Sequence, residues 1–161
     1  MKKLLTVLLV LISSINLYSQ TELDSLVLGK INEYRISLGL DKLEFSKESF
    51  LASQHHTKYM INVGEIGHIE NSETPKAYHR LLKYGVDNFT LVGENCTTIN
   101  MNGQTIFEMS ESIFNNWKES PSHNKIMTTP EFTNAAVSCG EGTLKKYGGY
   151  SFVFSTLVIW Y

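Results

Sequence analysis

Three polar residues could carry chemistry together if the fold brings them to one place: His68, Glu94 and His123. His68 follows Gly67 in a loop, and Glu94 follows Gly93 directly after an apolar segment. Loops held by a rigid scaffold are where binding and catalytic groups concentrate. Two neutral imidazoles with a nearby carboxylate can bind a divalent cation such as zinc. The alternative is a hydrogen-bonded cluster that only holds loops around the core.

The stretch NNWKESPSHNKIM offers a second chemistry, because Ser120 lies three positions before His123. A hydrolase would use Ser120 as nucleophile, His123 as general base and Glu94 to orient the imidazole. Pro121 stands between the first two residues, so their side chains need not meet. Ser120 is also typical of a helix end before proline, and Ser122 is predicted to cap the next short helix. The structural interpretation of Ser120 is therefore favoured over the catalytic one.

The other histidines predict no site of their own. His55 and His56 are adjacent on a predicted helix and point about 100° apart, so they cannot share one metal locally. We expect one of them to face the core and the other to face water. His79 is predicted to lie at the surface. The sequence has no His-Glu-x-x-His pair and no Gly-x-Ser-x-Gly elbow, which argues against the common metalloproteases and α/β-hydrolases.

The elements that must position these residues follow from apolar spacing and cap signals. The predicted helices are 23–38, 47–63 after Ser46, one that begins at Thr74-Pro75 and ends at Tyr84, and one started by a Thr105-x-x-Glu108 capping box. A short strand is predicted at 90–92, and the segments 135–142 and 150–160 predict a β-hairpin. Helices first and an antiparallel sheet later predict an α+β fold with helices on both faces of a small sheet.

Composition and the first residues indicate one exported domain. The chain has 161 residues, of which 42% are hydrophobic and 19% charged, enough for a single sizeable core. The net charge of -2 and the absence of Lys/Arg clusters argue against nucleic acid as a partner. Two lysines before an apolar run predict a signal peptide over residues 1–19, with an uncleaved anchor as the alternative. We therefore expect a secreted protein, extracellular or periplasmic, without a transmembrane anchor after cleavage.

Cys96 and Cys139 are the only two cysteines. An oxidising compartment would permit a disulfide between them. Free cysteines, however, are also typical small buried residues. The sequence leaves both interpretations open.

Seven sequence pieces in one order resemble the CAP superfamily, which comprises cysteine-rich secretory and pathogenesis-related proteins and their bacterial SCP-domain relatives. The pieces are NEYR…GL (32–40), Leu43, A…HTKYM (52–60), Gly67-His68, GEN (93–95), W…SPSHNKIM (117–127) and Phe132. They place one CAP domain at residues 24–161. The form W-x-x-S-P-x-H is similar to bacterial members in particular.

The resemblance implies a three-layer α-β-α sandwich, a mainly antiparallel sheet and a ligand cleft lined by His68, Glu94, Ser120 and His123. Ser120 stands where eukaryotic members carry a second glutamate, so the family's set of four is incomplete here. Some relatives bind zinc through the histidine pair, which would make His68 and His123 ligands of zinc or another divalent cation.

The resemblance predicts the fold more specifically than it predicts the function. Members are associated with lipid or sterol binding and extracellular interaction, and proteolysis has been proposed for some. The resemblance therefore favours a secreted module that binds an extracellular ligand (lipid, peptide or glycan). The alternative is a metal- or Ser/His-dependent, peptidase-like hydrolase acting outside the cell, so whether the protein is an enzyme stays open.

Overall fold

The computed structural model describes residues 20–161, and the expected signal peptide over residues 1–19 lies outside the described residues. The helices are α1 Glu22–Ser37, α2 Lys47–Val63, α3 Ala77–Lys83, α4 Ile106–Glu119 and α5 Pro121–Thr128. The strands are β1 Glu44–Phe45, β2 Val92–Asn100, β3 Asn134–Thr143 and β4 Ser151–Trp160, with a 3-10 turn at Lys145–Tyr147. Between residues 20 and 161, no helix has the length and apolar character needed to cross a membrane.

The four strands form one sheet in the order β1-β3-β4-β2. β3 and β2 each run antiparallel to β4, and the short β1 pairs parallel with β3. α2 and α3 pack on one face of the sheet, whereas α1, α4 and α5 pack on the other. The expected α+β sandwich of three layers is confirmed. β2, which carries Glu94, forms one edge of the sheet.

The larger core lies between the sheet and the α1, α4 and α5 layer. Trp117 is fully buried there, as are residues from every element of that layer. This core includes Val27, Ile31, Ile113, Trp117, Met127, Leu157 and Ile159. Burying each large apolar side chain contributes roughly 1.5–3 kcal/mol. A smaller core of Ala52, Ala77, Leu81, Val86 and Val158 joins α2 and α3 to the other face.

Local cap chemistry sets most helix ends as predicted. The Ser46 hydroxyl accepts from the Ser49 amide at the start of α2. The capping box of Thr105 and Glu108 is formed at the start of α4. Gly64 ends α2 in the left-handed conformation, with φ 65°, which costs glycine little.

Two predicted helix starts are wrong. α3 begins at Ala77, with Lys76 and not Thr74 as its N-cap. The reason is tertiary, because the carbonyl of Thr74 accepts from Arg80 and the carbonyl of Pro75 accepts from the Glu70 amide. α5 begins two residues earlier than a Ser122 cap would place it: Ser120 is its N-cap and Pro121 its first residue.

The predicted strand at 90–92 is also wrong in extent, since β2 runs from Val92 to Asn100. The apolar pattern did not reveal the full length of β2, because the polar side chains Glu94, Asn95 and Thr97 break the alternation. They are satisfied by tertiary partners: Asn95 donates to the His123 carbonyl and Thr97 accepts from Asn116. Glu94 therefore sits inside a strand and not in the turn that follows one.

The two cysteines are free. Cys96 on β2 lies opposite Thr156 and Cys139 on β3 lies opposite Ser155, with β4 between them. Strands two places apart are separated by about 9.6 Å, beyond the Cα separation that a disulfide spans. Thr156 and Ser155 also point to opposite faces, so the thiols do too. Burial raises the pKa of both thiols well above the ordinary value.

Candidate functional site

His68, Glu94 and His123 lie close together at the β2 edge of the sheet. The Nδ1 atom of His68 is 3.0 Å from Oε1 of Glu94. The ring centroids of His68 and His123 are 6.4 Å apart. Each residue comes from a different element: the loop between α2 and α3, the edge strand β2, and the first turn of α5.

α5, and with it His123, is held in place by a buried arginine. Arg35 of α1 is fully buried. Its guanidinium donates to carbonyls at and beyond the end of α5, those of Met127, Thr129 and Phe132, at 2.8, 3.0 and 3.2 Å. The Asn95 amide donates to the His123 carbonyl at 3.0 Å. These bonds fix α5 to α1 at one end and to β2 at the other.

Gly93 allows α5 to approach β2 closely. A Cβ atom at this position would lie 2.8 Å from Cγ2 of Ile126 and 2.9 Å from Cγ2 of Ile159. Both distances are shorter than side chains tolerate, so any larger residue would push α5 away from the strand. The glycine that precedes Glu94 therefore serves packing, and it places His123 beside Glu94.

An open cleft of about 320 Å³ begins at His68 and Glu94. Its lining is otherwise largely apolar and is completed by Ile69, Lys76, Ala77, Tyr78, Val92 and Gly93. Ile69 is 60% exposed and Tyr78 38% exposed, so apolar surface faces solvent here. The cleft thus combines charged groups with apolar walls.

Behind Glu94 lies a group of buried charged side chains, His56, Glu70 and Arg80, which with Glu94 we call the buried charge cluster. Arg80 donates through Nη1 to Glu70, at 2.9 Å, and through Nη2 to Glu94. His56 Nδ1 lies 2.8 Å from Glu70, and His56 Nε2 lies 3.8 Å from Glu94. Three of these side chains are fully buried, and Glu94 is 7% exposed. Arg80 and His56 therefore hold Glu94 on its buried side, and His68 contacts it on the side that faces solvent.

Sequence reasoning missed His56, Glu70 and Arg80 as site residues. One signal could have indicated Arg80, which shares the buried stripe of α3 with Ala77 and Leu81. A charge on an apolar stripe requires a buried partner. His56 lies in the core, but its charged partners are 14 and 38 positions away, as Glu70 and Glu94.

The two remaining histidines differ from each other. The expectation that one of the adjacent pair faces the core and the other faces water is met only in part, because His56 is fully buried and the His55 side chain is 21% exposed. Its Nδ1 lies 3.1 Å from the Tyr84 hydroxyl. His79 is partly exposed on α3, and its ring packs on Tyr78 with centroids 3.9 Å apart.

The environment shifts the pKa values of His68 and His123 in opposite directions. The hydrogen bond to Glu94 raises the pKa of His68. Burial, together with the nearby His68, lowers the pKa of His123. Burial opposes ionisation of Glu94, but the His68 hydrogen bond and the Arg80 charge hold its pKa below the usual value. The cleft therefore favours a protonated His68 beside an ionised Glu94, with His123 neutral.

Ser120 is not arranged as a nucleophile. Its hydroxyl lies 3.3 Å from the Ser122 hydroxyl. Within residues 20–161, no hydrogen bond joins it to His123, whose buried Nδ1 has no hydrogen-bond partner. A serine hydrolase requires its base within hydrogen-bond reach of the nucleophile.

Two sets of side chains could be considered as metal ligands. His56, Glu94 and Cys96 each offer an atom within 4.8 Å of the others. However, His56 uses both ring nitrogens in hydrogen bonds, and Arg80 already neutralises Glu94. A cation would have to displace these bonds and ionise a thiol whose pKa burial raises well above normal. This buried set fits a metal ion poorly.

The pair His68 and His123 fits a divalent cation better. Glu94 orients His68 through Nδ1, the arrangement that commonly supports a metal-binding imidazole. The unpartnered Nδ1 of His123 supplies a second donor. With Zn–N bonds of about 2.1 Å, two rings on one tetrahedral ion have centroids about 5.2 Å apart. The rings stand 6.4 Å apart, so binding would draw them together.

Two solved structures share this fold. One is an extracellular protein containing a SCP domain from Bacillus anthracis str. Ames, with TM-score 0.62 and 19% identity over 86% of this chain. The chain spans only 40% of that protein's length. The other is an outer surface protein from Borrelia burgdorferi, with TM-score 0.63 and 16% identity over 84% of this chain and 90% of that one. No curated protein matches the sequence significantly.

Family membership rests on a match along most of the sequence. The family model described as the cysteine-rich secretory protein family, CAP, matches residues 28–158. This range contains every residue of the cleft and of the buried charge cluster. The chain belongs to the CAP family of cysteine-rich secretory proteins.

Proposed function

We propose that this CAP domain is an extracellular binding module whose ligand occupies the cleft beside His68, Glu94 and His123. The observation that carries the proposal is the His68–Glu94 pair at 3.0 Å, which lines a largely apolar cleft. Binding sites typically combine apolar walls with a few fixed polar groups in this way. The exposed Ile69 and Tyr78 would gain most from being covered.

The chemistry of the cleft favours an amphipathic ligand with an acidic group. A protonated His68 and the ammonium of Lys76 would attract a carboxylate or phosphate, and Ile69 and Tyr78 would cover an apolar chain or side chain. Among lipid, peptide and glycan ligands, this combination favours an acidic lipid or an acidic peptide with apolar residues. A neutral glycan would use little of the apolar wall.

A location outside the cell is part of the proposal. Two of the solved structures that share this fold are, by their names, an extracellular and an outer surface protein. The expected signal peptide over residues 1–19 supports the same location for this chain.

A divalent cation between His68 and His123, beside the cleft, is a second candidate function, favoured by the Nδ1 of His123, which has no hydrogen-bond partner among the described residues. A bound cation there would attract an acidic ligand and lower the pKa of a bound water. The hydrolase alternative has less support, because Ser120 makes its hydroxyl contact with Ser122 and not with His123.

Isothermal titration of the purified chain with palmitate, an acidic apolar peptide and a neutral oligosaccharide, with and without zinc, tests the proposal. We expect saturable binding of an acidic ligand that His68→Ala weakens about tenfold, the effect of losing roughly 1.4 kcal/mol. The control is Lys42→Ala, because Lys42 is exposed and lies outside the cleft lining. Equal binding by both variants would contradict the proposed site.

A further inference from the structure

We infer that His56 is a buried imidazolium and acts as a positioning residue for the cleft, with both ring nitrogens protonated in the native protein. The inference rests on the proposed function, because it concerns how His68 and Glu94 are held for the ligand. It follows from the atoms that the two nitrogens face.

Each ring nitrogen of His56 meets an atom that only accepts hydrogen bonds. Nδ1 lies 2.8 Å from Oε1 of Glu70, and Nε2 lies 2.7 Å from the carbonyl oxygen of Gly67. A backbone carbonyl has no proton to give, so Nε2 must be the donor. An ionised carboxylate likewise only accepts, so Nδ1 must also be a donor. A neutral imidazole carries one such proton, whereas an imidazolium carries two.

The partners of Glu70 favour its ionised form. The same Oε1 atom accepts from Arg80 at 2.9 Å, and Oε2 accepts from the Ser72 hydroxyl at 3.0 Å. A protonated carboxyl group would turn its hydroxyl oxygen toward His56 and weaken the bond from Arg80. The proton of this pair therefore belongs on the imidazole.

Charge balance in the buried charge cluster supports the same assignment. His56 and Arg80 are two cations, and Glu70 and Glu94 are two carboxylates. A buried charge is tolerated when it is paired and hydrogen-bonded, as all four are here. Other titratable groups close to this cluster are His55, which contacts Glu70, Cys96, which lies beside His56 and Glu94, and His68, which contacts Glu94.

The connection to the cleft runs through Gly67. The Nε2 proton of His56 holds the carbonyl of the residue directly before His68, so it anchors the loop that presents His68. The His56 ring also lies 3.8 Å from Glu94, the partner of His68. One buried cation thus fixes the backbone next to His68 and supports the charge that His68 meets.

The first test is the ¹⁵N NMR signature of the His56 ring in the full native chain at neutral pH. We expect two protonated ring nitrogens. One unprotonated nitrogen at neutral pH would overturn the inference. This measurement needs no ligand, so its result is independent of whether the proposed binding function is correct.

A charge-balance cycle supplies the second test and separates positioning from a general loss of structure. His56→Gln leaves one carboxylate unbalanced and Glu70→Gln leaves one cation unbalanced, whereas the double variant restores neutrality. We expect the double variant to melt higher than either single variant, with the amide resonances of Gly67 and His68 closer to native positions. Additive losses of melting temperature, or singles whose His68 resonances match the native ones, would contradict a charged positioning role.

Discussion

The imidazole of His68 meets the carboxylate of Glu94 at 3.0 Å, across a distance of 26 positions in the sequence. The contact joins a half-exposed ring in a loop to a nearly buried acid on the edge strand. It places one favourable charge pair at the mouth of the cleft and sets the protonation of both residues.

Glu94→Gln is expected to lower the pKa of His68, because the hydrogen bond to the carboxylate is the largest cause of its raised value. Titration of the His68 ring resonances by NMR measures the change. Glu65→Gln is the control, since Glu65 is exposed and pairs with Lys145 at the surface. An unchanged His68 titration in Glu94→Gln would show that the pair does not form in solution.

His68 should stabilise the fold more strongly in acid than in alkaline solution. A histidine whose folded pKa is raised contributes stability that is fully present below its unfolded pKa, about 6.5, and is lost as pH rises through the folded pKa. We therefore compare the free energy of unfolding of His68→Ala with that of the native protein at two pH values. The deficit of the variant should be larger about one pH unit below the unfolded pKa than about two pH units above the folded pKa. Urea denaturation at both pH values checks the sign, and a larger deficit in alkali would contradict it.

Gly93→Ala is expected to destabilise the protein by about 1–3 kcal/mol, the usual effect of overpacking a core. The added Cβ would lie 2.8 Å from Ile126 and 2.9 Å from Ile159. Gly29→Ala is the control, because nothing lies within 4 Å of a Cβ there. That substitution within α1 should stabilise the protein by about 0.5–1 kcal/mol. Equal melting temperatures for the two variants would rule out close packing of α5 on β2.

Arg35→Met should cost about 3 kcal/mol or more, since several buried carbonyls at the end of α5 would lose their donor. We also expect the His123 resonances to shift, because α5 carries that residue. Denaturant unfolding and NMR measure the two effects, with the exposed Lys42→Met as control. A stable Arg35→Met protein with unmoved His123 signals would refute this anchoring role.

Ser120→Ala should change the free energy of unfolding by less than about 0.5 kcal/mol, since the Ser120 side chain makes no capping hydrogen bond. It should also leave ligand binding intact. Thr105→Ala, which removes a formed capping box, should cost about 1 kcal/mol in comparison. Hydrolysis of a peptide or ester substrate that Ser120→Ala abolishes would instead establish the hydrolase alternative.

Much of the fold was predictable because its signals are local. Ser46, Gly64 and the capping box at Thr105 each act within a few residues, and the hairpin of β3 and β4 follows from a dense apolar pattern. β2 was largely hidden, because its polar side chains are satisfied by partners distant in sequence. The start of α3 was displaced for the same reason: the carbonyl of Thr74 serves Arg80.

The candidate site was likewise predictable only in part. Ordered sequence pieces were enough to name His68, Glu94 and His123. His56, Glu70 and Arg80 could not be assigned to the site in this way, because their roles depend on contacts among four side chains from two helices, a loop and a strand. A buried charge has a clear meaning only once its partner is known.

The central claim, that the ligand binds in the cleft, is tested most directly by mapping backbone amide shifts of the full chain as palmitate is added. We predict that the largest saturable shifts fall on His68, Ile69, Tyr78 and Glu94. Shifts confined to the separate groove between α1 and α4, which is lined by Lys30 and Phe107, would place the binding site elsewhere and contradict the account.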